Sequence, residues 1–292
     1  MDGKQLQTQY KEHLSDFNNW NQKEHAEDFI LYPKNIGYHL CIDETALSKG
    51  ELYTILTNRD KHGRKGTIVA IVKGTKAEDV INVLLKIDAD KRNQVKEITL
   101  DMAGSMQKIA KRCFPGAMQV VDRFHVSKLV YEAVQDLRIA YRWQVMKDEN
   151  RKIKEAKAKG ESYEPKVFGN GDTLRQLLAR SRYLLFKAPD KWLQSQKVRA
   201  KLLFEQFPDI KSVYYYALRL GKIFSDYTDK DVARAKLALW YNEIEEFGYD
   251  TFTTVANSIE NHYERILNYF VNRSTNAAAE AFNAKIKAFR AS

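Results

Sequence analysis

Three aspartates close short apolar runs in the first half of this sequence. Asp43 follows Ile36-Gly37-Tyr38-His39-Leu40-Cys41-Ile42, Asp101 follows Val95 to Leu100, and Asp122 follows Ala117 to Val121. A carboxylate at the end of a buried strand either caps the turn or helix that follows or forms one wall of a reactive site. Carboxylates that converge repel one another and raise each other's pKa unless a cation neutralises them. Hard oxygen donors of this kind favour Mg2+ or Mn2+. A further carboxylate, Glu280, sits far downstream, just after Ala277-Ala278-Ala279. Its plain reading is an exposed surface Glu, but three small residues before it let a helix approach another surface closely.

The elements that must position these groups follow from hydrophobic period. Ile36, Tyr38, Leu40 and Ile42 alternate, which predicts a strand with one face on a core. The alternation aims Asp43 and turns Glu44 the opposite way, as a bystander. Residues 51–57 and 67–72 read as two more strands, separated by the turn formers Asn58, Asp60 and Gly63, so the first three pair as antiparallel hairpins. A helix from Lys76 to Ile87 carries Val80, Ile81, Leu84 and Leu85 on one stripe. A strand ending at Asp101, a helix bearing Met106, Ile109, Ala110 and Cys113, and a strand ending at Asp122 complete the series. Helical crossovers make those later strands parallel, so the sheet is mixed and five-stranded. Ligands of such sheets sit beyond the carboxyl ends of parallel strands. Asp43 and Asp101 converge there if their strands are neighbours, and this favours the reactive-site reading.

On either side the texture is helical. Residues 8–31 read as one helix, with Tyr10, Leu14, Phe17 and Trp20 spaced by three and four, ended by Pro33. From His125 to about Asn268 the pattern is almost entirely helical, broken most clearly at Gly169-Asn170-Gly171-Asp172. There Asp172 or Thr173 is an N-cap for a helix over Leu174 to Phe186. The basic run Arg151 to Lys159 is either a solvated helix or loop, or a phosphate-contacting surface. Most of Trp192, Tyr214, Tyr215, Tyr216, Trp240 and Tyr241 belong to a core; Trp192, in a Lys-rich neighbourhood, is the best candidate to stack on a displaced base. The last helix, capped by Ser274, Thr275 or Asn276, carries an apolar stripe of Phe282, Ile286 and Phe289, with Glu280, Asn283 and Lys287 on another face.

The 292 residues carry a formal charge of +10 and are 44% hydrophobic. That excludes a disordered chain; the basic excess suggests either a polyanionic partner, nucleic acid first, or a soluble protein that is simply basic, and composition alone does not choose between them. Two cysteines far apart, Cys41 and Cys113, fit buried reduced thiols better than a disulfide. No spacing offers a zinc site, and no apolar run reads as a signal peptide or membrane span. The expectation is an intracellular, cytoplasmic protein.

Taken together, Asn35-Ile36-Gly37 leading to Ile42-Asp43-Glu44-Thr45, Gly50-Glu51-Leu52-Tyr53-Thr54, Leu100-Asp101-Met102, Val121-Asp122-Arg123-Phe124-His125-Val126, and Ser274-Thr275-Asn276 through Glu280 to Phe282-Asn283-Ala284-Lys285-Ile286-Lys287 resemble the ISL-type (ISL three group) bacterial insertion-sequence transposases. The resemblance covers residues 10–290. It implies an RNase H-like mixed five-stranded sheet with a large all-helical insertion between the second Asp and the final Glu helix. The segments expected from it are 1–33 (helical lead-in), 34–125 (first part of the core), 126–268 (insertion) and 269–292 (final helix). It implies a catalytic and metal-binding triad of Asp43, Asp101 and Glu280 holding two Mg2+ or Mn2+ ions about 4 Å apart. Asp122 and His125 match the family's DxxH pattern; His125 either fixes the start of the insertion by bonding Asp122 or stands beside the scissile phosphate. With Trp192, Lys285 and Lys287 they are the residues expected to touch or position DNA.

The activity so implied is metal-dependent strand cleavage and strand transfer at insertion-sequence ends. A catalytically silent DNA-binding remnant and an RNase H-like nuclease that never joins are the alternatives. The implied partners are double-stranded DNA, as terminal inverted repeats and target, and further copies of the chain in a dimer or larger assembly; the implied place is the nucleoid. Family members usually carry a zinc-binding and helix-turn-helix region ahead of the core and continue past the last helix, whereas this sequence matches no such region and stops at Ala291-Ser292. The open readings are a split-gene product, which would act with a separate zinc or helix-turn-helix end-binding protein, a truncated copy, or a trimmed chain.

Overall fold

The computed structural model describes residues 2–46, 50–248, 250–274, 284 and 288. The chain divides into two compact units: Met1–Asp122 with Arg273–Ser292, and Arg123–Asn272.

The first unit opens on α1 (Gly3–Gln9), followed by a π turn over Tyr10–Leu14, a 3-10 turn over Phe17–Asn19, and β1 (Phe29–Leu31). The single helix expected over residues 8–31 is therefore corrected. Its last residues form an edge strand because Phe29, Ile30 and Leu31 pair antiparallel with Val72, Ile71 and Ala70 of β4, and the Gln22 side chain accepts a hydrogen bond from the Leu31 N–H at 2.6 Å. Tertiary pairing overrides a local helical period in so short a segment.

Next come β2 (His39–Ala46), β3 (Leu52–Asn58), β4 (Ile68–Lys73), α2 (Ala77–Leu84), α3 (Ala89–Asn93), β5 (Glu97–Leu100), α4 (Gly104–Cys113) and β6 (Met118–Val121). Among the described residues the sheet has six strands, one more than expected, in the order β1-β4-β3-β2-β5-β6. β2 pairs with β3, and β3 with β4, antiparallel; β2–β5 and β5–β6 are parallel. The sheet is mixed, as the helical crossovers require.

Register gives the central strands two unlike faces. Leu40, Ile42, Leu56, Ile98, Leu100 and Val121 fall on one, all buried, and suit the apolar stripes of α2 (Val80, Ile81, Leu84) and α4 (Met106, Ile109, Cys113). The other face carries Cys41, Asp43, Thr57, Glu97 and Thr99. Entry to β2 is locked by Asn35-Ile36-Gly37. The Asn35 amide donates to the Ile68 carbonyl at 2.7 Å, and the Asn58 amide donates to the Asn35 carbonyl at 2.8 Å. A Cβ on Gly37 would lie 2.6 Å from the Asn58 amide nitrogen, so any larger residue must push that side chain aside.

The second unit is built from α5 (Arg123–Ala158), α6 (Leu174–Arg180), α7 (Gln194–Gln206), α8 (Pro208–Asp226), α9 (Lys230–Phe247), α10 (Asp250–Asn261), α11 (Tyr263–Leu267) and α12 (Tyr269–Asn272). The basic run after Arg151 is the last part of α5, exposed and helical. Trp240, Tyr214, Phe224, Phe252 and Tyr269 are the large buried rings of its core. Thr173 caps α6 in a reciprocal box with Gln176. Asp172 is no cap. It is fully buried and accepts hydrogen bonds from Arg180, from Arg199 Nε at 2.8 Å and from Asn170 Nδ2 at 2.8 Å. Burial alone raises its pKa, but the hydrogen bonds from Arg199 and Arg180 outweigh this and hold the carboxyl below its usual range. Among the described residues no helix is long and apolar enough to cross a membrane.

Candidate active site

Asp43 is not at the end of its strand. β2 runs on to Ala46, still paired with β3 through Ala46↔Leu52. What ends beside Asp43 is the neighbouring strand, since β5 stops at Leu100. The last registered parallel pair is Cys41↔Thr99, so two residues further along both strands Asp43 and Asp101 stand at one level. The same holds on the other side. Leu100 pairs with Val121, and the Asp122 N–H donates to the Leu100 carbonyl at 3.0 Å, bringing Asp122 level with Asp101. Extended by the register of these strands, three aspartates come to one level: Asp43 inside β2, and Asp101 and Asp122 just past the ends of β5 and β6.

Side-chain electrostatics agree with this row. The Cys41 thiol, two residues before Asp43 on the same face, is pushed well up, first by burial and then by the charges of Asp43 and Asp122; Thr57 and Arg59 oppose the shift. Glu44, expected to be uninvolved, has its carboxyl raised by burial and then by the negative charges of Asp101 and Asp43. Alternation places it on the opposite face, but at the open end of the sheet it shares their field. Four carboxylates therefore crowd this end.

Asp101 also serves the chain locally, because its Oδ1 accepts from the Ala103 N–H at 2.8 Å at the entrance to α4. Asp43 Oδ1 accepts from the Glu44 N–H at 2.9 Å. The turn-forming reading thus holds for Asp101, at the entrance to α4, and not for Asp43, which lies inside β2. Beneath the row, Arg59 fixes the polar face: its Nη1 donates to Glu97 Oε1 at 2.7 Å and to Thr99 Oγ1 at 2.8 Å. Glu97 is 1% exposed, so this guanidinium, reaching across β2 to β5, is what makes a buried glutamate tolerable. No local signal in the sequence marks this pairing, because Arg59 and Glu97 lie far apart in the chain and Glu97 follows a lysine at the start of β5.

The other expected residues fall as follows. His125 lies in the first turn of α5, three residues on from Asp122, in edge contact with the Phe124 ring at 5.8 Å. Trp192 follows a 3-10 turn rather than lying on a helix. Its Nε1 donates to the Leu184 carbonyl at 2.8 Å, and its ring stacks on Tyr214 at 5.6 Å. That indole is committed to contacts inside its own unit. Glu280, Lys285 and Lys287 lie outside the described residues. Among the described residues no group of three His, Cys, Asp or Glu is disposed to hold a metal ion by itself. Cys41 and Cys113 are both buried and free.

A family model described as a transposase, that of the ISL3-type DDE transposases, matches residues 40–292. No curated protein and no solved structure matches the chain.

Proposed function

This chain belongs to the ISL3-type DDE transposase family, and we propose that it is the catalytic polypeptide of a DNA transposase, cutting strands and joining them at insertion-sequence ends. The observation that carries this reading is the parallel register of β2 and β5, ending at Cys41↔Thr99, which carries Asp101, just past the end of β5, to the level of Asp43. In our reading the sheet is an RNase H-like core, and Glu280 is the third carboxylate.

The donor set fits a hard divalent cation. Asp43 and Asp101 are hard oxygen donors brought to one level by the parallel register of β2 and β5, and the carboxyl of Glu44 beside them is raised by burial and then by their charges. Asp43, Asp101 and Glu280 would hold Mg2+ or Mn2+, ions that when bound supply charge stabilisation and an acidified water or 3′-hydroxyl at the phosphorus. The chain's own part is positional. β2 aims Asp43, the Ala103 N–H holds one oxygen of Asp101 so that the other remains to bind, and Arg59 keeps the strands flanking Asp43 in register. Asp122, level with both but buried, supports the site from within the sheet unit, and His125, Lys285 and Lys287 steady the DNA. Double-stranded DNA is the substrate in this reading, and joining two ends calls for at least two copies of the chain.

The test is incubation with Mn2+ or Mg2+ and a labelled duplex carrying element ends. Nicked and joined products are expected from the wild-type chain and neither from Asp43→Asn. Nicking without joined products would replace the transposase with a nuclease. DNA binding without nicking would leave a silent remnant.

A further inference from the structure

Within the helical unit, three guanidiniums converge without an acid. Arg138 of α5 is 4% exposed. Its Nε donates to Gln135 Oε1 at 2.7 Å and its Nη1 to the Leu178 carbonyl at 2.9 Å. Gln135, also buried, uses its amide nitrogen on the Arg182 carbonyl at 3.2 Å, which ties the segment after α6 to this part of α5. Arg142 follows one helical turn after Arg138 on the same face, and its Nε is buried with no hydrogen-bond partner. Among the described residues no carboxylate pairs with Arg138, Arg142 or Arg182. After burial, the charges of Arg142 and Arg182 are what push the Arg138 guanidinium below its ordinary range.

Like charges gathered in a half-buried place destabilise the fold unless an anion answers them. Elsewhere in this unit buried charge is answered: Asp172 has Arg180 and Arg199. The fork of a guanidinium matches phosphate oxygens two at a time. Two large rings near these arginines in the chain are exposed. Trp143, next to Arg142, is 58% exposed, and Tyr183, 68% exposed, lies under the Arg182 guanidinium at 5.5 Å.

We propose that Arg138, Arg142 and Arg182 form a seat for a backbone phosphate of DNA on the helical unit, with Trp143 and Tyr183 against the adjoining nucleotides. This rests on the transposase reading for its choice of anion. Arg138 is held rigidly by Gln135 and the Leu178 carbonyl, while Arg142 and Arg182 supply the contacts that DNA completes.

The test is fluorescence anisotropy of a labelled duplex with a single-stranded tail, titrated at several salt concentrations. Arg142→Gln with Arg182→Gln is expected to weaken binding about tenfold or more and to flatten the log–log salt dependence by about one per lost phosphate contact. Lys152→Gln with Lys154→Gln, further along α5, is expected to change binding less than about threefold. DNA is expected to quench tryptophan emission in the wild-type chain but not in Trp143→Phe. Should the double arginine variant fold poorly, phenylglyoxal labelling of the wild-type chain gives a second readout: DNA is expected to protect Arg142 and Arg182.

Unchanged affinity and salt slope in the double variant, or equal labelling with and without DNA, would overturn the proposal. Asp43→Asn separates the two readings, because it is expected to bind DNA as the wild type does while losing cleavage. If the arginine variants bind normally and the wild type still cuts, the seat is wrong and the transposase reading stands. If the wild type neither binds nor cuts DNA, both fall.

Discussion

The two units handle charge in opposite ways. In the sheet unit, Asp43, Asp101 and Asp122 are gathered by backbone register, with like charges side by side at an open edge. In the helical unit the fully buried acid, Asp172, is clasped by two arginines. The first arrangement brings like charges to one level, and the second matches a charge with its opposite. A carboxylate kept for chemistry weakens the fold that carries it, whereas one kept for structure is neutralised on the spot.

The largest effect that separates them is on activity. Asp43→Asn is expected to lower metal-dependent strand cleavage by about a thousandfold or more, about 4 kcal/mol of barrier. Its melting temperature should stay level or rise, since one repelling charge is gone. A marked loss of stability would mean that Asp43 is structural and would erase the contrast.

Asp172→Asn should do the reverse, costing about 3 kcal/mol by leaving two arginines without their counter-ion, as read by urea unfolding. The pH dependence has a definite sign. Because the folded carboxyl titrates below its ordinary value, its contribution is complete above about pH 4 and is lost as pH falls through the lowered folded value. Acid unfolding should accordingly shift or flatten in Asp172→Asn, and an unaltered acid limb would show that the clasp carries no weight.

Gly37→Ala is a smaller test, this time of the sheet's register. The new methyl must displace the Asn58 amide, at about 2 kcal/mol, and cleavage should fall beyond what the lost stability explains because β2 carries Asp43. Smaller again, Thr173→Ala removes the α6 cap and should cost about 1 kcal/mol without touching cleavage. Least affected are the thiols. Burial pushes Cys113 up to about 11 and Cys41 up as well, so native alkylation at pH 8 should run at least about a hundredfold slower than in urea.

Much of the sheet could be read from the chain because alternation and turn residues are local signals: β3, β4, α4 and β6 fall close to where hydrophobic period predicts them. β1 escaped because three residues carry too little pattern to outvote a helical spacing, and only β4 reveals the need for a partner. Asp43 looked terminal because the apolar alternation stops at Ile42, although the hydrogen bonds to β3 persist to Ala46. Asp172 was legible as a break but not as a clasp, since Arg199 lies a helix away. Trp192 looked available among lysines, yet its ring is taken by Tyr214. Side-chain partners at long separation leave no trace in a single sequence.

The division of the chain also bears on its birth at the ribosome. The sheet unit takes in both Met1–Asp122 and Arg273–Ser292, so the whole helical unit is synthesised between its two parts. At ordinary elongation rates that interval is roughly ten to thirty seconds. Throughout it the nascent sheet holds Asp43 and Asp101 but still lacks Glu280. On the proposed reading, with Glu280 as the third carboxylate, such a polypeptide emerges next to nucleic acid without being able to cut it until Glu280 has been made.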